Sequence, residues 1–519
     1  APKMEKERNM RMKTTGLCIC AILMVFLLTV GPASAESKLV VGVDSSPVTM
    51  DPIASLTDAN MGIMANIFDT LLTRDASGEL QPGLALRYEH PDMYTWKFYL
   101  RKGVKYSNGN DFTAQDVKFT YERMRNPKCC SEFMDMGKNV KSVEIIDDYT
   151  VVITTNNPTP WFDQELEIAF MMDKESTENR DPGEIGLKPI GTGAYKFVEW
   201  VKGSHLKLTA NEDHWRGVPS IKNVEIKPIT EASTRFAALA SGSVDLISGV
   251  PIELFERLKK NPKLRIFSRP ARRVVFFQLT NKPDTPMSDV RVRKAMYMAI
   301  NQQEIIEKIM RHQASPASQI CDSAMVGYNP DIERLSYDPD QAKALLKEAG
   351  YADGFDITLA GPNDRYVQDE KICEAVAKYL AKIGINCKLD IKPKAVFFQE
   401  AVEAKHDFFM LGWLANSYDF GNNYAYLMHT YEPDSGLGTW NGVRYSDPEL
   451  DKKYAETAKM IDLDERNQAL MDLNQAMMDN VVAIPLHYGL NTYGAQKTKG
   501  LIFTPRPDRW LIFRDMVLE

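Results

Sequence analysis

The sequence predicts an α/β protein folded as two or three compact lobes. Three observations lead there. Segments of strand periodicity alternate with segments of helical periodicity along most of the chain. At 519 residues the chain exceeds one typical domain. No low-complexity linker or tandem repeat divides it, which favours lobes joined by crossing segments over beads on a string.

Residues 1–35 read as a secretory leader. Lys3, Lys6, Arg8, Arg11 and Lys13 form a basic front, 17–30 is uncharged and apolar, and Gly31-Pro32 breaks the run before Ala33-Ser34-Ala35. That order predicts cleavage after Ala35. The apolar run is short for a membrane span, which takes about 20 residues. The whole chain has a formal net charge of −7; the leader contributes +3, so the mature part stands at −10. An acidic chain without a basic tract argues against nucleic acid and anionic membrane surfaces as partners. No later segment is long and apolar enough to enter a bilayer once the leader is cut.

The elements follow in order. Residues 38–44, KLVVGVD, form an apolar strand, and 58–72 a helix with Met61, Met64, Ile67, Phe68 and Leu71 at helical spacing. In 95–124, Trp96, Phe98 and Leu100 alternate with Lys97, Tyr99 and Arg101 as in a half-buried strand, and Ser107–Asn110 supplies a turn. Thr113 with Asp116 three residues on is a near capping box for the helix that carries Val117, Phe119, Tyr121 and Met124. Residues 143–154 read as two strands joined at Asp147-Asp148. Strands are expected at 191–201, 206–209 and 224–229, then a helix over 231–241 and a strand at 244–247. Helices follow over 289–300, 303–310, 338–349, 369–383, 448–461 and 463–478, with strands at 355–359, 385–391, 408–411 and 482–486. The helix at 338–349 opens on Asp338-Pro339 and closes at Gly350.

Motifs for catalysis are missing from the sequence. It has no G-x-S-x-G elbow, no H-E-x-x-H helix and no G-x-x-x-x-G-K-[ST] loop, and Gly191-Thr192-Gly193 lacks the third glycine of a dinucleotide fingerprint. The seven His are scattered. A binding protein without enzymatic activity, cofactor or metal is therefore expected. Beyond the leader stand Cys129, Cys130, Cys321, Cys373 and Cys387. The strained ring argues against a bridge between the adjacent Cys129 and Cys130. Cys373 and Cys387 flank one helix–strand unit and either meet or stay as separate buried thiols.

Segment 95–124 resembles the signature of the extracellular solute-binding proteins of family 5, the peptide, opine and nickel class that serves ATP-driven importers. The likeness continues in order through PIGTGAY (189–195), NEDHWRG (211–217), TRFAALASGSVD (234–245), DVRVRKAMYMAIN (289–301), YDPDQAKALLKEAG (337–350) and GPNDRYV (361–367). It implies a two-lobed periplasmic binding protein-like fold (class II, cluster C) with hinge strands and an inserted subdomain. Lobe I would comprise 36–80, 187–280 and 492–519, the subdomain 81–186, and lobe II 281–491. The implied function is capture of a short peptide or similar small solute in the periplasm. Delivery would be to ABC permease subunits, whose ATPase is separate, and the binding protein would be a monomer. Alternatives are a non-peptide solute (opine, sugar or metal chelate), a secreted hydrolase and a ligand-sensing receptor subunit.

The resemblance also points to a cleft. Residues 412–423, GWLANSYDFGNN, are similar to the family loop that lines it. Peptide-binding members carry an Asp three residues after the Trp to pair with the ligand's α-amino group; here the position is Asn416, which lacks the charge. Asp419 is either its replacement or an ordinary turn residue. Trp413, after Gly412, is a wall or core. An Arg three residues before the Trp, found in some members, is Met410 here, and Arg365 is the candidate carboxylate clamp, or else a surface charge. Trp440 with Asn441, Ser55 and Thr57 after the first strand, and Tyr488 with Asn491 near the expected hinge complete the candidate ligand-binding set, each with a packing role as the alternative.

Overall fold

The computed structural model describes residues 37–415 and 417–519; the leader expectation and Asn416 fall outside the described residues. The chain begins a mixed sheet with β1 (Lys38–Val43), crosses helix α1 (Asp58–Ile67), and builds a separate antiparallel sheet from β2 (Ala85–Glu89), β3 (Thr95–Leu100), β4 (Val140–Asp147) and β5 (Thr150–Thr155), with helix α2 (Ala114–Met124) between β3 and β4. It then rejoins the first sheet through β6 (Tyr195–Val201), β7 (His205–Ala210), β8 (Asn223–Pro228), β9 (Leu246–Ile247) and β10 (Leu264–Leu279). The second half adds β11 (Phe355–Pro362), helix α3 (Asp369–Ala381), β12 (Ile385–Lys392), β13 (Phe408–Trp413), helices α4 (Phe420–Leu427) and α5 (Leu463–Asp479), and last β14 (Ala483–Gln496).

The strand order is β12-β11-β13-β10-β14-β9-β1-β8-β7-β6, with Ala314–Pro316 also paired to β14. The two longest strands, β10 and β14, thus lie in the middle and run antiparallel from Leu264 opposite Gln496 to Gln278 opposite Ala483. Their ladder is interrupted between Pro270 and Val274. Pro270 has no N–H to give to a ladder, and the irregularity releases the following residues from pairing. On one side of this pair, Phe276, Phe408, Met410, Ile372 and Leu473 belong to one buried apolar cluster. On the other, Leu39, Met64, Trp96, Tyr121 and Phe513 belong to a second, and a third, smaller one forms around Leu239 and Leu258.

Local chemistry explains the elements. Trp96, Phe98 and Leu100 of β3 are buried and their neighbours are half-buried, as the alternation predicts. Thr113 Oγ1 accepts from the Gln115 N–H and Asp116 accepts from the Thr113 N–H, so the capping box is complete. Helix α1 stops at Ile67, short of the expected 72, and a strand starts at Leu72. The reason is a turn from far along the chain: the Gly193 N–H donates to the Ile67 carbonyl at 2.9 Å, and Thr192 and Trp215 both donate to the Asp69 carboxylate at 3.0 Å.

Four further readings need correction. The 16-residue β10, unassigned from sequence, is the longest strand. The strand expected at 482–486 runs on to Gln496, and the helix expected at 303–310 is a short turn, Gln302–Glu304, continued as a π-helical turn over Ile305–Ile309. Cys129 and Cys130, set aside as a pair, are bridged in a turn where both N–H groups donate to the Asn126 carbonyl. Cys373 and Cys387 are free, the first buried against Gly361 of β11, the second on β12.

The glycine turn at 191–193 gives a test. A Cβ on Gly193 would stand 2.4 Å from the Ile67 carbonyl carbon and 2.6 Å from the Asn66 oxygen, backbone atoms that cannot swing aside. Gly193→Ala is expected to lower unfolding stability by about 1–3 kcal/mol, as overpacking does, measured as a shifted urea midpoint with an unchanged slope.

Candidate functional site

A cavity of about 1110 Å³ lies against the crossing strands. Ala271, Arg272 and Arg273, the residues freed from the β10–β14 ladder, line it together with His487 and Asn491 of β14. Leu56, Trp161 and Glu165 come to it from the chain that precedes the crossing; Arg365, Tyr426 and Tyr454 come from the chain between the two long strands. Both halves of the molecule therefore contribute walls, and the interrupted ladder supplies the floor.

Several charges around the cavity are matched within the protein. Arg272 donates to Asp322 at 3.1 Å and to the Ser417 carbonyl at 2.9 Å, and its guanidinium lies 3.4 Å from the centre of the Tyr418 ring. Arg74 covers the same ring at 3.5 Å and pairs with Glu167 at 2.8 Å. Arg509 pairs with Asp44 at 2.8 Å and Arg506 with Asp508 at 2.6 Å. His487 adds no charge near neutrality, because burial pulls its pKa down to about 4.

Six lining charges are in no ion pair among the described residues: the exposed Asp58, Glu132 and Asp135, and Arg273, Arg365 and Glu165. Arg273 donates to the Gly412 carbonyl at 3.4 Å and has no carboxylate partner among the described residues; burial, reinforced by Arg365, draws its pKa down. Arg365 is likewise in no ion pair among the described residues, and its guanidinium lies 5.6 Å from the Tyr366 ring. Glu165, on a short 3-10 turn (Phe162–Ile168), accepts a hydrogen bond from the Trp161 side chain. Burial pushes its carboxyl up to about 7, overcoming that bond, and Asp419 and Asp163 push in the same direction. The cavity thus offers two cationic side chains and four acids in no ion pair among the described residues, and of these acids only Glu165 is half-buried. Such a lining suits a solute carrying both signs of charge.

The description "Bacterial extracellular solute-binding proteins, family 5 Middle" matches residues 79–435. The chain belongs to this family. Its relatives include the glutathione-binding protein GsiB of Salmonella paratyphi A, 28% identical over 470 residues that cover 88% of this chain and 90% of that one. Among solved structures, the Helicobacter pylori periplasmic binding protein DppA in complex with the peptide STSA superposes with a TM-score of 0.69 at 26% identity, covering 93% of this chain and 99% of that one. The unliganded open form of the periplasmic murein tripeptide-binding protein MppA superposes at 0.83, with 22% identity and coverage of 93% and 98%. The architecture is the two-lobed periplasmic binding protein fold. Among the described residues no helix is long and apolar enough to cross a membrane.

Within this family fold, the residues singled out from sequence divide. Arg365 and Asn491 line the cavity; the Asn491 amide also donates to the Arg506 and Pro507 carbonyls at 3.1 and 3.0 Å, tying the crossing strand to the C-terminal segment. Trp413 and Trp440 stand 6.0 Å apart behind the cavity-lining Tyr426, and the Trp413 indole donates to Asn423 at 3.1 Å. Gly412 is a seat for the Tyr366 ring, which a Cβ would meet at 2.5 Å. Ser55 is buried, 3.2 Å from the Thr57 hydroxyl, while their neighbours Leu56 and Asp58 reach the cavity.

The structure assigns other duties to three of the candidates. Asp419 is 1% exposed; both its oxygens accept from Arg466, at 2.5 and 3.0 Å, and one also accepts from the Gly421 N–H at the start of α4. It is a helix cap and half of a buried ion pair, with nothing left for a ligand amine. Asn441 is fully buried and serves the carbonyls of His429 and Tyr445 and the Tyr445 N–H. The Tyr488 hydroxyl donates to the Cys321 carbonyl at 2.6 Å. Glu165, Arg273 and Tyr426 went unmarked in the sequence; Arg273, in the run Arg272-Arg273 beside Pro270, carried the one signal that could have found it.

Two outcomes follow. Arg466→Ala leaves the Asp419 charge buried without its partner and should cost about 3–5 kcal/mol of unfolding stability, read by denaturant titration. Glu165 is held neutral by the fold relative to an ordinary carboxyl of 4.5. The stability tied to its proton is therefore whole below pH 4.5 and is lost as pH rises through about 7. Glu165→Gln should equal the parent in thermal midpoint at pH 4, gain on it up to about pH 7 and keep a constant lead above; a lead independent of pH would refute this.

Proposed function

We propose that the protein is the periplasmic capture subunit of an ATP-driven importer, taking a short peptide or similar amino-acid-derived solute between its lobes and handing it to the membrane permease unchanged. The observation that carries this is the cavity of about 1110 Å³ built from both halves of the chain with unmatched charges of both signs. A free peptide is a zwitterion, and a site of this size holds one of a few residues. The ligands of relatives, glutathione for GsiB and a peptide for DppA, support the same class. The likeness is greater to an unliganded open form, at 0.83, than to a peptide-bound form, at 0.69, which supports reading the present arrangement as open.

In this reading lobe I comprises 36–80, 187–280 and 492–519, residues 81–186 form a subdomain on it, and 281–491 form lobe II. The protein acts as a monomer after loss of its leader. The crossing strands β10 and β14 flex where their ladder is broken, and ligand contacts from both sides select the closed arrangement.

Small molecules retained through purification, identified by mass spectrometry, should be peptides. Adding them to stripped protein should reduce the radius of gyration in small-angle X-ray scattering. A retained opine, sugar or metal chelate would change the ligand class, and binding without compaction would refute closure.

A further inference from the structure

The position from which related peptide binders hold an amine is Asn416 here, and Asp419 is consumed by Arg466 and Gly421. Of the cavity-lining acids in no ion pair among the described residues, Asp58, Glu132 and Asp135 are exposed, and Glu165 alone is sheltered. Glu165 is half-buried on the turn Phe162–Ile168 and reaches the cavity beside Trp161. We propose that Glu165 receives the ammonium group of the bound peptide, and that Arg365 with Arg273 receives its carboxylate. This rests on the peptide-capture reading and fixes the direction in which the ligand lies.

The surroundings of Glu165 favour a cation. Asp163 and Asp419 are the acids that act on it, and Arg466 is already matched by Asp419 at 2.5 Å. Asp163 Oδ2 accepts from Tyr88 at 2.9 Å and from Gln164 at 3.0 Å, but its buried Oδ1 has no hydrogen-bond partner. Glu165 and Asp163 thus carry no ion pair among the described residues, and burial raises the pKa of both, so an ammonium group would stabilise their charged forms. Trp161, Tyr426 and Tyr454 line the same cavity, and aromatic faces tolerate a cation. Arg365 and Arg273 make the opposite imbalance near Tyr366 and Gly412: two guanidinium groups in no ion pair among the described residues, Arg365 adding to the burial that lowers the Arg273 pKa, with only a backbone carbonyl bound. The planar fork of arginine matches a carboxylate. A ligand placed the other way would set like charges together at both ends.

The test uses an equimolar mixture of di- to tetrapeptides in three forms: free, N-acetylated and C-terminally amidated. Native mass spectrometry and fluorescence titration read binding to the full mature protein and to Glu165→Gln and Glu165→Asp. The parent should prefer free over N-acetylated peptides by about ten- to a hundredfold, the scale of a hydrogen bond to a charged group. Glu165→Gln should lose that preference yet still discriminate against amidated peptides; Glu165→Asp, which keeps the charge but draws it back, should retain part of it. Arg365→Gln should show the reverse pattern. Retention of the full amine preference in Glu165→Gln would overturn the assignment while leaving peptide capture intact. Binding of none of the peptides by the parent would overturn capture itself.

Discussion

Everything in this molecule hangs on one strand pair. β10 and β14 are hydrogen-bonded to each other along nearly their whole lengths, and each half of the large sheet grows outward from them. Backbone hydrogen bonds in the middle of a sheet must be satisfied, so the pair fixes how the two apolar clusters face one another. The wider of its two irregularities is the stretch after Pro270, where three residues leave the ladder; the register shifts again between Val275 and Phe276. Those residues become the floor of the cavity. In the capture reading proposed above, the same break supplies a place for binding groups and a place where bending costs least, so the position of the site and the position of the hinge would have one cause.

Charge is managed by two different rules on either side of that floor. Around the cavity, carboxylates and guanidinium groups are locked into pairs that buttress the walls: Asp419 with Arg466, Asp322 with Arg272, Glu167 with Arg74. Removing one member of such a pair strands the other in a place of low dielectric. Inside the cavity the rule is reversed. Glu165 and Arg273 are half-buried and Arg365 is exposed, and all three lack ionic partners among the described residues. The fold maintains that mismatch through elements whose own stability lies elsewhere, which is how a binding site keeps its groups ready for a solute.

The sequence announced the scaffold more clearly than the site. Residues 95–124 are legible because strand alternation, turn and capping box are all local, and each was found where its chemistry required. Strand β10 was illegible for a physical reason: LRIFSRPARRVVFFQL carries four arginines and a proline, and its apolar run comes only after the break. Its pairing with β14, more than two hundred residues away, outweighs those local signals. Asp419 shows the same limit at the site. Its neighbours mark it as a loop acid, while its role is set by Arg466, 47 positions later. Glu165 lies in a segment of no clear period, and only the folding of that segment over the crossing strands gives it a cavity to face.

The unmatched charges also account for why closure would wait for a solute. In the open cleft water reaches the exposed Arg365 fully and the half-buried Glu165 and Arg273 in part. Closing it empty would carry them into lower dielectric, at a cost of several kcal/mol per ion. A zwitterion matched at both ends removes that cost and adds charge-assisted bonds, each worth about 1.5–3 kcal/mol. Shifting a two-state equilibrium from about 1:99 to 99:1 takes about 5.5 kcal/mol of differential binding. Two matched ends reach that figure, whereas one end, with the opposite charge still stranded, falls short. A solute with a single charge would then occupy the cleft without shutting it, so the proposed selectivity resides in the hinge as much as in the contacts.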